Sequence, residues 1–271
     1  MHNIQNNIKN IEYDRTALAY SMHYLSVGAI FRNESDSIVE WIKHYMYHGV
    51  EHFYLINDNS DDDTVSKLQL FIEKGFVTLY HSQEPYYLGR QRNLYNQYIL
   101  PHLKQKETQW LLMVDLDEYV WSPLSIRIDY SLRNHCHSLG QIQMRQYLYG
   151  SNGYDAQPNG IVKNFTKRAS EPVNCYKYFV NSNFEFTSLN IHHADFLIED
   201  YKTDASVFII IDTNYFAFNH YSCQSIEFWK KVKCTRGDGD AYLERDMSRF
   251  HELDKNEVED VRLAEQNKDI V

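Results

Sequence analysis

Two aspartates spaced two apart, Asp115 and Asp117, come directly after the apolar run Trp110-Leu-Leu-Met-Val114, with Glu118 next to them. Carboxylates of this kind suit Mg²⁺ or Mn²⁺, which take one or two protein carboxylates and fill the remaining positions with phosphate oxygens and water. Close together they also repel, so a positive group is expected beside them. The plain alternative is a strand-ending turn in which Glu118 caps the next element. A second cluster runs from Asn57 to Asp63. There Asp58 could accept the imide N–H of a uracil ring or a ribose hydroxyl, while Asp61 to Asp63 suit the start of the next helix, whose dipole favours carboxylates. A third cluster is Arg32-Asn-Glu34. Arg90 and Arg92 begin a helix, where cations oppose the dipole, so either a bound anion or plain solvation must account for them.

The elements that would hold these clusters can be read from periodicity. Leu25 to Phe31 predicts a buried strand, then a helix capped at Ser35 or Asp36, with Ile38, Trp41, Ile42, Tyr45 and Met46 on one face and Gly49 as its stop. His52 to Ile56 is a second strand, and Val65, Leu68, Phe71 and Ile72 mark a second helix ending at Gly75. Phe76 to Tyr80, a helix from Gly89 to Leu100 disturbed by Pro101, and a strand from Trp110 to Val114 complete the first half. Strands alternating with single helices imply right-handed crossovers and a mostly parallel, Rossmann-like sheet. Ligands of such sheets sit beyond the carboxyl ends of the strands, which is where all three clusters fall. Further strands are expected near Ile142 to Leu148, Ile161 to Phe165, Cys175 to Val180 and Val207 to Phe218. Ser225 to Lys233 and parts of Ala241 to Lys268 read as helical.

Composition narrows the class. The chain has 271 residues, 22 of them Tyr and 14 Phe against 10 Gly and 5 Pro, enough apolar surface to exclude a disordered or low-complexity chain. A net charge of −10 argues against nucleic acid or an anionic membrane as partner. Cys136, Cys175, Cys223 and Cys234 form no C-x-x-C pair, so neither a zinc site nor a disulfide framework is indicated. No leader and no apolar run of membrane-spanning length is visible, and the expectation is a cytoplasmic protein, of viral or microbial origin if its Asn, Tyr, Lys and Ile bias reflects an AT-rich genome.

The ordered set Arg32-Asn-Glu34, Glu40-Trp41-Ile42, Gly49 to Leu55, Asp58-Asn-Ser60 and Trp110 to Glu118 resembles glycosyltransferase family 92 and related nucleotide-sugar transferases. Tyr149-Gly-Ser-Asn-Gly153 is similar to the family's F-G-S-S-G turn. Asn219-His220-Tyr221 with Ser225, Glu227, Phe228, Lys231 and Arg236-Gly237 is similar to its N-H-Y…K-S-x-x-E-F…K…R-G segment. The resemblance covers roughly residues 25 to 237. It implies a GT-A fold with a C-terminal acceptor-side lobe, a nucleoside-diphosphate sugar donor, a divalent metal (Mn²⁺ or Mg²⁺) and inversion at the anomeric carbon. By position it places Asp115 near the ribose or the metal, Asp117 on the metal, and His220 as a further metal ligand. Lys177 and Arg236 would neutralise the diphosphate, beside Arg32, Glu34, Asp58, Arg90 and Arg92. Gln224-Ser225 stands where the family has Lys-Ser, and Gly153-Tyr154 where it has Gly-His, which bears on the acceptor and on part of the phosphate contact.

An inverting transfer needs a carboxylate to take the acceptor hydroxyl's proton. Asp195, flanked by His192 and His193, is preferred, with Asp155 as rival; either could equally be a turn residue. The expected division is a loose arm over 1–20, one catalytic domain over 21–240 with a nucleotide half (21–120) and an acceptor half (121–240), and a helical extension over 241–271. The reading is a metal-dependent transferase moving sugar from a uridine diphosphate sugar, or its guanosine counterpart, to a glycan or other hydroxyl acceptor. A sugar nucleotidyltransferase is the rival enzyme, but Phe31 to Glu34 lacks the glycine-rich phosphate loop it needs. A non-catalytic glycan-binding protein would leave Asp115 and Asp117 without a purpose. Tyr86, Tyr87, Tyr147, Tyr149, Tyr154 and Tyr221 are the tyrosines expected at the sugar or base.

Overall fold

The computed structural model describes residues 22–125, 127–197, 209–237, 240 and 245–270. The expected arm over 1–20 lies outside them. The first half alternates strands and helices as expected. Strand β1 is His23–Phe31, helix α1 Ile38–Tyr47, β2 His52–Asp58, α2 Thr64–Glu73 and β3 Val77–Ser82. Arg90–Leu94 (α3) continues through a wider π-helical stretch, Tyr95–Ile99, into Leu100–Lys104 (α4). Pro101 has no N–H to offer the preceding turn, and the loosened ladder lies just before it. Strand β4 is Thr108–Met113.

Strands β3, β2, β1 and β4 pair in that order, all parallel. Their side chains alternate between two packed faces. Leu25, Val27, Ala29, Phe53, Leu55, Trp110 and Leu112 join α1 and α2 on one side. Ile30, Tyr54, Ile56, Leu111 and Met113 meet the helix after β3 on the other. Covering both faces explains why the strands read as continuous apolar runs. Helix α1 ends where expected: Gly49 has φ +95°, and a Cβ there would collide with the Asp129 carboxylate. Its cap is Ser37, one or two residues beyond the expected position.

The second half adds β5 (Glu118–Trp121), α5 (Ile128–His135), β6 (Gln141–Leu148), β7 (Lys167–Arg168) and β8 (Val173–Asn181). A hairpin, β9 (Phe186–Leu189) with β10 (Ala194–Phe196), precedes β11 (Ile209–Ile211) and β12 (Ala217–His220). Helix α6 (Ile226–Phe228) runs on through Trp229–Lys233 as a π-helical stretch. Then come α7 (Met247–Leu253), β13 (Val258–Glu259) and α8 (Arg262–Gln266). Strand β8 inserts antiparallel between β4 and β6, and β12 joins β6 parallel and β5 antiparallel. The chain therefore forms the expected mixed α/β architecture on a mostly parallel central sheet.

Two expected strands differ. Ile161 to Phe165 is a buried turn: the Glu40 carboxylate accepts from the backbone N–H groups of Ile161 (2.7 Å) and Val162 (2.9 Å), diverting them from any ladder. The strand expected over Val207 to Phe218 is two short ones, the first residues lying outside those described. Asp212, at φ +53°, separates them, and its carboxylate is held by Arg145. No helix among the described residues is long and apolar enough to cross a membrane.

Candidate active site

One cavity of about 650 Å³ opens along the carboxyl ends of β1, β2 and β4. Arg32 and Glu34 reach it from β1, Asp58 from β2, and Asp115 and Asp117 from the turn after β4. The second half supplies the opposite wall: Gln146 and Leu148 from β6, Val173 and Cys175 from β8, His220 from β12, then Lys233 and Arg236. Helix α7 and its flanks close the outer end with Arg245, Arg249, Glu252, Leu253 and Lys255.

Strand β4 stops at Met113, so Asp115 and Asp117 occupy a turn rather than one face of a strand. Both readings of Glu118 meet here, because its carboxylate accepts from the Asp115 N–H (2.7 Å) and fixes the turn. Helix α1 pins it from behind: Trp41 Nε1 donates to the carbonyls of Asp115 and Glu118, and the Tyr45 hydroxyl to that of Glu118. The expected counter-charges are lysines. Lys177 Nζ lies 2.7 Å from Asp115 Oδ2 and 3.5 Å from Glu118. Lys233 Nζ binds Asp117 Oδ2, which is also 3.3 Å from His220 Nε2.

Burial alone would raise Asp117; the Lys233 ammonium, and then His220, outweigh it and hold the carboxyl well below the usual range. Burial pushes Glu118 up to about 7, against the pull of Lys177. For Lys177, burial would favour the neutral amine, but Asp115 and Glu118 prevail and keep it charged. His220 is raised: burial opposes its protonation and Asp117 outweighs that, while Nδ1 pairs with Gln146.

The remaining expected residues divide. Glu34 is buried and paired with Arg236, whose guanidinium also binds the Arg32 carbonyl. Arg90 does not enter the cavity. It is 1 % exposed and grips Asp58 through two nitrogens, Nη1 standing 3.2 Å from Oδ2 and Nη2 on Oδ1, so its position at a helix start is explained by Asp58. Lys177 likewise stands behind the cavity wall, on Asp115 and Glu118 rather than free for a diphosphate. Arg32 is the exception: its Nη1 reaches the Tyr86 hydroxyl (3.3 Å), and its buried Nε has no hydrogen-bond partner among the described residues. Asp61 and Asp62 tie the second and third clusters together, accepting from Asn33 and from Ser35 and Thr64.

Neither expected base reaches the cavity. Asp195 sits on the β9–β10 hairpin with Arg92 (3.1 Å), His193 (3.0 Å) and Ser188, so Arg92 is drawn away as well. Asp155 is exposed in a turn, its carbonyl accepting from Glu227 N. Of the six tyrosines only Tyr86 lines the cavity; Tyr149 and Tyr221 pack against each other at a tilt in the core, and Tyr147 lies under Arg168. Two residues without a signal in the sequence belong here, Lys233 and Glu252. Lys233 is one of three lysines in Lys230-Lys-Val-Lys233 and is selected only by the fold. Ser225 caps α6, its Oγ accepting from Phe228 N (3.0 Å), and the π-helical stretch beyond it brings Lys233 to Asp117.

The carboxylates of the cavity are each matched to a cation: Glu34 to Arg236, Asp58 to Arg90, Asp115 to Lys177, Asp117 to Lys233 and Glu252 to Arg249. Arg32, Arg245 and Lys255 line the cavity with no carboxylate partner among the described residues. As a metal position, Asp117 and His220 offer one oxygen and one ring nitrogen at a single point, a donor set that suits Mn²⁺ or Mg²⁺ shared with phosphate oxygens. Each aspartate is engaged by a lysine here, Asp115 by Lys177 and Asp117 by Lys233. No cluster of three or more His, Cys, Asp or Glu side chains able to cage an ion occurs among the described residues.

Comparison with known proteins matches residues 22–256 to the model of glycosyltransferase family 92. A protein of Ricinus communis named as a family 92 glycosyltransferase is 20% identical over 226 residues, covering 77% of this chain and 37% of its own length. Its Oryza sativa subsp. japonica counterpart is 24% identical over 225 residues, covering 77% and 35%. One from Arabidopsis thaliana is 21% identical over 223 residues, covering 78% and 38%. This chain thus spans little more than a third of the length of the curated relatives it matches. Among solved structures, residues 1–349 of S. aureus TarS superpose with a TM-score of 0.38 at 15% identity, covering 73% of this chain and 60% of that one.

Proposed function

Because this chain belongs to glycosyltransferase family 92, we propose that it transfers a sugar from a nucleoside-diphosphate donor, a uridine diphosphate sugar by preference, to a hydroxyl of a glycan acceptor, with inversion. The observation that carries this is the convergence of Arg32, Asp58, Asp115 and Asp117 in one cavity at the strand ends, facing His220, Lys233 and Arg236. Asp58, fixed by Arg90, is oriented to accept from a base or ribose. Arg32 offers the diphosphate a guanidinium whose Nε is not otherwise engaged.

Asp117 and His220 would hold a divalent cation, which when bound supplies positive charge to the leaving diphosphate. The residues of the chain do the rest. Lys233 and Arg236, paired in this structure with Asp117 and Glu34, stand where the leaving group gains negative charge, and burial strengthens their interaction with it. The acceptor proton goes to Glu252. Among the described residues, every other carboxylate in the cavity is held by a cation whose side chain is at most 12% exposed, whereas Glu252 pairs with Arg249, and their side chains are 65% and 50% exposed. An exposed pair of this kind is weak and readily broken by an incoming hydroxyl.

Thermal melting with uridine diphosphate or guanosine diphosphate, with and without Mn²⁺, tests the donor site. A nucleotide should raise the melting temperature, EDTA should reduce the shift, and Asp117→Ala should abolish its metal dependence. If no nucleotide moves the transition, the donor-site reading is wrong.

A further inference from the structure

The unmatched cations of the cavity stand in two places. Arg32 is at the end of β1, in the donor half. Arg245 and Lys255 bracket α7 at the outer end, one before its cap Asp246 and the other just past its last residue. The residues beside each are anchored. The carbonyl of Asp246 accepts from Trp229 Nε1 (3.0 Å), and its carboxylate caps the helix by accepting from Arg249 N (3.0 Å). On the other side, the Lys255 carbonyl lies so close to Gly150 that a Cβ there would strike it. Asp254 and Asn256 accept from the backbone N–H groups of Ser151 and Asn152. Lys255 is thus clamped on both flanks to the turn after β6, with its ammonium left over for the cavity.

Arg245 and Lys255 line the cavity with no carboxylate in ion-pair contact among the described residues, Glu257 being the acidic neighbour that Lys255 influences, and such cations suit an anion from outside. The donor does not need them. On the proposed reading, its diphosphate is met by Arg32 and a cation at Asp117 and His220, with Lys233 and Arg236 beside them. The same cavity is also lined by apolar Leu148, Val173 and Leu253. We propose that its α7 end is an acceptor subsite for an anionic glycan, one whose sugar carries a phosphate, sulfate or carboxylate group bound by Arg245 and Lys255. The inference rests on the donor-site reading for calling the ligand an acceptor, but not for the anion site itself.

Calorimetry with glucose, glucose 6-phosphate, glucose 6-sulfate and glucuronate, each with and without saturating uridine diphosphate, tests it. The charged sugars should bind and glucose should not, and the three charged probes rank phosphate, sulfate and carboxylate. Arg245→Ala combined with Lys255→Ala should weaken the charged sugars by about tenfold or more while changing nucleotide affinity less than about twofold. Lys255→Glu should do the same as a single change. The subsite is refuted if glucose binds as well as its charged forms, if the substitutions leave the charged sugars unaffected in folded protein, or if they weaken the nucleotide instead. Should wild type bind charged sugars but no nucleotide, the anion site stands and the donor reading falls.

Discussion

Within the first half, Asp58 meets Arg90 across 32 residues of chain; between the halves, Asp117 is held by Lys233 across 116 and by His220 across 103. The first pairing joins elements a single βα unit apart, where a parallel sheet brings consecutive strand ends to one edge. The second depends on β8 inserting antiparallel beside β4 and on β12 pairing with β6, so that residues remote in sequence arrive over the same turn. The local half builds a scaffold whose polar ends are decided by periodicity. The assembled half supplies the charges that make those ends usable.

The sharpest way to test that contrast is on Glu252, which belongs wholly to the assembled half. Glu252→Gln should lower the transfer rate by about 10²–10⁴ while leaving the nucleotide-induced melting shift in place. A variant that transfers at the wild-type rate would remove Glu252 from the mechanism and return the search for the base to the other walls of the cavity.

Next in size is the buried pair between the halves. Lys233→Met leaves the Asp117 carboxylate buried with His220 as the cation still in ion-pair contact among the described residues, and should cost about 3 kcal/mol in chemical denaturation. Adding Asp117→Asn should recover most of that stability, because both charges are then gone, but not the metal-dependent nucleotide shift. If Lys233→Met is neutral on its own, the two halves are not joined through this charge.

The local half carries its own signature in pH. Burial, and then neighbouring His23, push His52 down to about 4, and burial lowers His23 and, further, His44. Each folded value lies below the unfolded value near 6.5, so the unfolded chain takes up protons that the folded sheet refuses. Stability is therefore fully present above about pH 6.5 and falls as the pH drops toward 4. Denaturation midpoints measured across that window should decline, and His52→Gln should flatten part of the slope; an unchanged slope would acquit the His23–His52 stack.

The smallest effect is expected at Asp195. Its partner Arg92 is half exposed and the pair lies on a hairpin outside the cavity, where such bridges are worth about 0–1 kcal/mol. Asp195→Asn should change transfer by less than about twofold. A large loss would mean that the β9–β10 hairpin moves onto the acceptor, and the comparison with Glu252 would reverse.

The sequence determined the alternating strands and helices of residues 23–113, the placement of Arg32, Asp58, Asp115 and Asp117 at the strand ends, and the need for positive charge near the aspartates. These come from short-range rules: alternation along a strand, helical spacing, glycine at a helix end. Periodicity could not say that Ile161 to Phe165 would be caught by Glu40 as a turn, or that Tyr149 and Tyr221 would pack in the core. Nor could it choose among Lys230, Lys231 and Lys233, since all three look equally solvated in a basic helix. Only the tertiary structure decided that Lys233 neutralises Asp117, that Arg90 serves Asp58 rather than a ligand, and that Glu252 rather than Asp195 shares the cavity. A charge finds its partner through the path of the whole chain, and that path is set by strand pairing across more than a hundred residues, beyond the reach of any local pattern.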